Sequence, residues 1–200
     1  MKSSFSAMSE IEELYEVLEE AREADQVASA CVIYEEILTQ EDVENVMSTL
    51  LYVTDLIDFG NFAQAEATLL RVTDLCDEAE SQELLFFNLA TLHEKKGEFR
   101  DAEKHYRLAH EQNTTRGELL LMAANMAFHQ GEPAKAEYLV REGLKYQCVQ
   151  DEAYSSLGFY LASQRRFSEA KTAFDKVLEI DPENEYATEW IEDLSPLLPD

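Results

Sequence analysis

Apolar side chains recur three and four positions apart in one segment after another, the spacing of amphipathic helices. Glycine, proline, aspartate and short polar stretches punctuate the segments. The pattern predicts helices at about 10–23, 26–39, 42–58, 62–74, 81–96, 98–111, 115–129, 133–145, 150–163, 167–180 and 182–194. Ser9 with Glu12 has the spacing of a capping box at the first of these. Residues 1–9 read as a short mobile tail, and Pro196 and Pro199 mark a C-terminal tail at 196–200.

The helices repeat in pairs. Asp151–Asn184 carries Tyr154, Leu157-Gly158, Leu161, Ala170, Phe174 and Asp181-Pro182. Two helices approach closely only where small side chains meet, which predicts contact at Gly158 and Ala170 with Leu157, Leu161, Phe174 and Val177 around it. Asp181 is the expected N-cap of the last helix and Pro182 its first residue. One repeat length upstream, Gly117–Gln150 carries Leu120, Ala123-Ala124, Ala127, Gly131, Ala136, Val140 and Gly143, with Cys148 at the proline position. An equal step back gives Glu83–Arg116, with Phe86, Leu89-Ala90, His93, Gly97, Ala102, Tyr106 and Ala109. A longer step reaches Val46–Ala79, with Tyr52-Val53, Leu56, Gly60, Ala65, Leu69 and Val72. The extra residues in that step, Glu80-Ser81-Gln82, are expected in a loop between repeats. Ile11–Glu44 keeps the period through Leu14, Val17-Leu18, Ala21, Ala30, Tyr34 and Ile37 but lacks the glycine.

This spacing of aromatic, Leu-Gly, Ala, Phe and Pro resembles the tetratricopeptide repeat, a helix-turn-helix unit of about 34 residues. The resemblance implies an all-α fold, a right-handed superhelical α-solenoid. Five repeats and a capping helix at 182–194 would form a single array over residues 10–195. An isolated pair of helices buries too little apolar surface to offset the entropy of ordering it, so neighbouring repeats must supply the rest.

In arrays of this kind the first helices of successive repeats line a concave groove. The implied groove positions begin with Glu12, Tyr15, Glu19 and Arg22, followed by Met47, Leu50, Thr54 and Ile57. The third repeat contributes Leu84, Phe87, Thr91 and Glu94, the fourth Glu118, Leu121, Asn125 and Phe128, and the fifth Glu152, Ser155, Phe159 and Ala162. Such a groove is mainly apolar, with Thr54, Thr91 and Asn125 as a row of hydrogen-bonding groups for a peptide backbone. The plainer reading is that neighbouring repeats or the chain's own tail cover these side chains. Related domains that clamp an acidic chaperone C-terminus use groove lysine and arginine. Here the clamp-like positions carry Tyr15, Leu50, Phe87, Leu121 and Ser155, and only Asn125 matches, so that clamp is rejected.

Charge narrows the partners. The net charge of -26 repels nucleic acid and anionic membrane surfaces. Residues 1–70 hold 16 acids against Lys2 and Arg22. A basic partner is one reading of that excess, and a solvated surface suited to solubility or a salty cytoplasm is the other. No apolar run is long enough to span a membrane, and the first eight residues lack the core of a secretion signal. Cys31, Cys76 and Cys148 are odd in number and fall in different repeats, as expected for reduced thiols in a cytoplasm.

Candidate chemistry is sparse. His93, His105, His110 and His129 have no metal-ligand spacing, and no phosphate loop or nucleophile motif is present. His105 and Asp101 can meet on one helix face as an ordinary solvated pair. The expectation is a non-catalytic adaptor without a cofactor that binds a protein or peptide segment with apolar anchors. The alternative is a holding chaperone for a secreted or aggregation-prone client.

Overall fold

The computed structural model describes residues 27–40 and 46–198, with helical residues 13–14, 16–18 and 20–21. The tail at 1–9, its capping box, the groove positions Glu12, Tyr15, Glu19 and Arg22, and the side chain of Cys31 lie outside the described residues. The helices in chain order are α1 (Val27–Gln40), α2 (Val46–Asp58), α3 (Phe62–Val72), α4 (Ala79–Lys95) and α5 (Phe99–Gln112). They continue as α6 (Glu118–His129), α7 (Pro133–Gly143), α8 (Gln150–Ser163), α9 (Phe167–Ile180) and α10 (Glu185–Leu194). Short 3-10 turns follow α3 at Thr73–Leu75 and α10 at Ser195–Leu197. No strand occurs among the described residues, only an isolated bridge between Arg116 and Gln147. The chain divides into two compact units, Met1–Lys95 and Lys96–Asp200.

In the first unit α2 packs on α1, α3 and α4. Its core is built from side chains at helical spacing, among them Ile37, Tyr52, Val53, Leu56, Leu69 and Leu85. The Tyr34 and Tyr52 rings lie 5.3 Å apart within it. Glu80-Ser81-Gln82, expected in a loop, is helical and lengthens α4 at its N-terminus. The reason is local: Ser81 Oγ donates to the Glu78 carbonyl at 2.9 Å and Gln82 Nε2 to the Cys76 carbonyl at 3.1 Å, which ties the extra turn to the preceding chain.

In the second unit each helix from α5 to α10 packs on the next. One hydrogen-bond arrangement occurs twice, in successive repeats. Gln130 Nε2 donates to the Phe99 carbonyl at 3.4 Å and to Glu103 Oε2 at 3.0 Å. Gln164 Nε2 donates to the Pro133 carbonyl at 3.5 Å and to Glu137 Oε2 at 3.1 Å. Each glutamine thus ties the end of one hairpin's first helix to the second helix of the hairpin before it. A backbone clip adds to this. Gly117 N donates to the Gln147 carbonyl at 2.7 Å and Gln147 N to the Thr115 carbonyl at 3.0 Å. Residues 115–117 are therefore committed to the clip, and α6 starts at Glu118 rather than at Thr115.

Two packing expectations need correction. The surface of Gly158 is covered by the Phe174 ring rather than by Ala170: a Cβ at Gly158 would meet ring carbons at 2.7–2.9 Å. The last helix begins at Glu185, with Asn184 as N-cap accepting from Ala187 N at 2.9 Å. Asp181 instead accepts from Glu183 N at 3.1 Å, so its carboxylate closes a turn that contains Pro182.

Candidate functional site

The expected groove positions fall into two sets, one in each unit. In the first unit Leu50 and Ile57 are 0% and 2% exposed and belong to the core. Thr54, at intermediate exposure, meets Asn88 Oδ1 at 2.9 Å, and Asn88 Nδ2 donates to the Leu50 carbonyl at 2.8 Å. Thr91 donates to the Phe87 carbonyl of its own helix at 3.0 Å. The two threonine hydroxyls are thus bonded within the protein. Leu84, Phe87 and Thr91 are half-buried.

In the second unit four expected positions meet at one cleft of about 330 Å³. Leu121 and Asn125 come from α6, one turn apart; Ser155 and Phe159 come from α8, also one turn apart. Met122, Glu152, Ser156, Tyr160 and Tyr186 complete the lining. Phe128 stands behind the apolar wall, its ring 5.0 Å from Phe159 and 5.1 Å from Tyr160. Trp190 of α10 closes the back, 5.8 Å edge-on to Phe159 and 5.5 Å from Phe174 in a stacked pair. Such contacts hold ring positions more firmly than burial alone. The cleft therefore has a firm aromatic wall, while Asn125 and Glu152 are exposed and Ser155 and Ser156 half-buried.

Of the lining, Met122, Ser156, Tyr160 and Tyr186 were not among the expected groove positions. Three are neighbours of expected residues, and a helix presents a stripe wide enough to include them. Tyr186 had a clearer signal. It stands one repeat length after Glu152, so extending the repeat phase into the last helix places it in groove register. Ala162, expected at the surface, is buried.

Three of the histidines serve packing or local bonding. His110 Nδ1 lies 3.0 Å from the Arg116 carbonyl, with its ring 4.9 Å from Tyr146. His129 stacks on Phe99 at 4.7 Å, and His105 Nδ1 meets the backbone carbonyl of Asp101 at 2.9 Å rather than its carboxylate. Burial pushes the thiols of Cys76 and Cys148 up from their ordinary range, the direction of packed, unreactive side chains. Among the described residues no group of three or more His, Cys, Asp and Glu side chains is placed to hold a metal ion. No described helix is long and apolar enough to cross a membrane.

A model of the tetratricopeptide repeat matches residues 151–184. No curated protein sequence is significantly similar to the chain. Among solved structures, MamA from Desulfovibrio magneticus RS-1 (residues 41 to the end) superposes with a TM-score of 0.74 at 11% identity, over 88% of this chain and 97% of that one. YrrB, a tetratricopeptide repeat protein with an unusual peptide-binding site, gives 0.68 at 15% identity, over 92% and 96%. A thermophilic tetratricopeptide repeat protein of Thermus thermophilus gives 0.61 at 17% identity, over 94% and 100%. At these identities the likeness shows the fold. Residues 151–184 match the tetratricopeptide repeat itself, and the chain shares the α-solenoid fold of those structures.

Proposed function

We propose that the protein is a non-catalytic adaptor that holds a segment of another protein, with an apolar side chain of that segment seated in the cleft of the second unit. The observation that carries this reading is the cleft itself: an aromatic wall of Phe159 and Tyr160, backed by Phe128 and Trp190, beside neutral polar groups of Asn125, Ser155 and Ser156. An apolar wall supplies the burial that drives association, and the polar groups can bond a peptide backbone. Such a cleft is too small for a folded domain but suits one or two side chains. In the first unit, Leu84, Phe87 and Thr91 stand as further contact positions, whereas the buried Leu50 and Ile57 act through packing.

The test uses two synthetic peptides that differ only in Phe or Ala at the central position. Trp190 is the only tryptophan and touches the Phe159 ring, so its emission reports on the cleft. The Phe peptide should bind saturably and the Ala peptide at least about ten-fold more weakly, the worth of burying an aromatic side chain even in part. Phe159→Ala should remove the difference while leaving helix content nearly unchanged. Equal binding of both peptides would sink the reading, as would a large loss of helicity in the variant. A client that stays soluble only in the protein's presence would move the function to a holding chaperone.

A further inference from the structure

The cleft has a charged end as well as an apolar one. Glu152 lines it from the first turn of α8 and is exposed. Phe159 lines it seven positions later, roughly 10 Å along the helix axis. Among the nine residues that line the cleft there is no lysine or arginine. Some carboxylates of this unit are paired with cations, Glu103 with Lys135, Glu137 with Arg141 and Arg166, Glu142 with Lys145 and Asp175 with Lys171, while others, Asp151 and Glu189 among them, have no ion pair among the described residues. Glu152 has no ion-pair partner among the described residues.

An apolar wall and an unneutralised carboxylate about 10 Å apart define a ligand of two parts. Resting on the reading of the cleft as a binding site, we infer that it selects an extended segment with an aromatic side chain and, two residues away, a lysine or arginine. The ring lies against Phe159 and Tyr160, and the cation meets Glu152. The spacing follows from strand geometry. Alternate residues of an extended chain point the same way and are about 6–7 Å apart, and the long stem of a lysine or arginine covers the remaining distance. Tyr186, which lines the same cleft and is 46% exposed, adds a ring to which a cation is also attracted. The net charge of -26 favours the same sign of ligand at longer range.

Four peptides of equal length separate the components: Phe and Lys two positions apart in either order, Phe and Glu, and Ala and Lys. They are titrated into the full chain, read by Trp190 emission and by calorimetry, at physiological salt, where charges beyond about 8 Å are screened. Either Phe–Lys peptide should bind about five-fold or more tighter than Phe–Glu, since an exposed pair replaces a repulsion. In Glu152→Gln that preference should fall to within about two-fold while the advantage of Phe over Ala persists. Equal affinity for Phe–Lys and Phe–Glu in the unmodified protein overturns the charge selection and leaves the apolar site standing. A preference that survives Glu152→Gln overturns the assignment to Glu152 and places the selectivity in the overall field. Equal binding of Phe–Lys and Ala–Lys, or no binding of any peptide, overturns the apolar site and this inference with it.

Discussion

Arg165 turns the chain between α8 and α9 through the same left-handed backbone conformation that Gly131 supplies between α6 and α7. The φ angle is +60° at Arg165 and +78° at Gly131, and the two positions are one repeat length apart. Gly60 and Gly97 hold equivalent turns at +82° and +76°. An L side chain in this region crowds its own carbonyl and costs about 1–2 kcal/mol, whereas glycine adopts it freely.

Arg165→Gly is therefore expected to stabilise the fold. Relief of strain outweighs the added entropy of the unfolded chain, leaving about 0.5–1 kcal/mol. The exposed Arg165 side chain has no ion pair among the described residues to lose. Urea unfolding of the two proteins decides it, and a midpoint that moves down would mean that the side chain contributes more than the turn costs.

Gly158→Ala should act in the opposite direction. The added methyl group would meet three carbons of the fully buried Phe174 ring at 2.7–2.9 Å. Helix propensity favours alanine by about 1 kcal/mol, but overpacking costs typically 1–3 kcal/mol, so the net loss is up to about 2 kcal/mol. Phe174 is stacked on Trp190, so the same variant should shift tryptophan emission. A stability gain with unchanged emission would show that the ring moves without cost.

These two positions show what the sequence made legible. The repeat period, with glycine at 60, 97 and 131, was enough to place the helices and their turns. It also placed Leu121, Asn125, Ser155 and Phe159, which the structure brings to one cleft. Burial was less legible, because repeat phase says which positions share a helix face and not what lies over them. Leu50 and Ile57 hold the same phase as Leu121 and Phe128 but are enclosed, and Thr54 bonds its hydroxyl within the protein. Capping competes among neighbours in a similar way. Asp181 and Asn184 are both good N-cap residues with extended backbone, and it is Asn184, directly before the helix, that accepts from Ala187 N, while Asp181 accepts from Glu183 N.

The twice-repeated glutamine arrangement has a buried charge at its centre. Glu103 is 4% exposed and accepts from Lys135 Nζ at 2.7 Å and from Gln130 Nε2 at 3.0 Å. Glu103→Ala should cost about 1–3 kcal/mol: Gln130 loses a partner, while Lys135 is exposed enough to regain water. Glu179→Ala provides the comparison. Its pair with Lys176 is exposed to water, which screens it, so its loss should move the midpoint little. Urea midpoints that move equally in the two variants would show that the Glu103 contacts add nothing beyond a surface pair.

Tyr160 gives the cleft a dependence on alkaline pH. Burial first, and then the charge of Tyr186, push its phenol up from 10.0 to about 12. The folded state thus holds the proton more tightly than the unfolded chain. The resulting stabilisation is fully present below about pH 10 and is lost as pH rises toward 12. With that shift, wild type should lose about 1–2 kcal/mol more than Tyr160→Phe between about pH 9 and about pH 11.5. The phenylalanine variant keeps the ring packed against Phe128 and has no proton to release. Urea unfolding at the two pH values measures the difference directly, because every other ionisable side chain is common to the two proteins. Parallel losses would place the Tyr160 hydroxyl in contact with water and refute the buried position it holds in the aromatic wall.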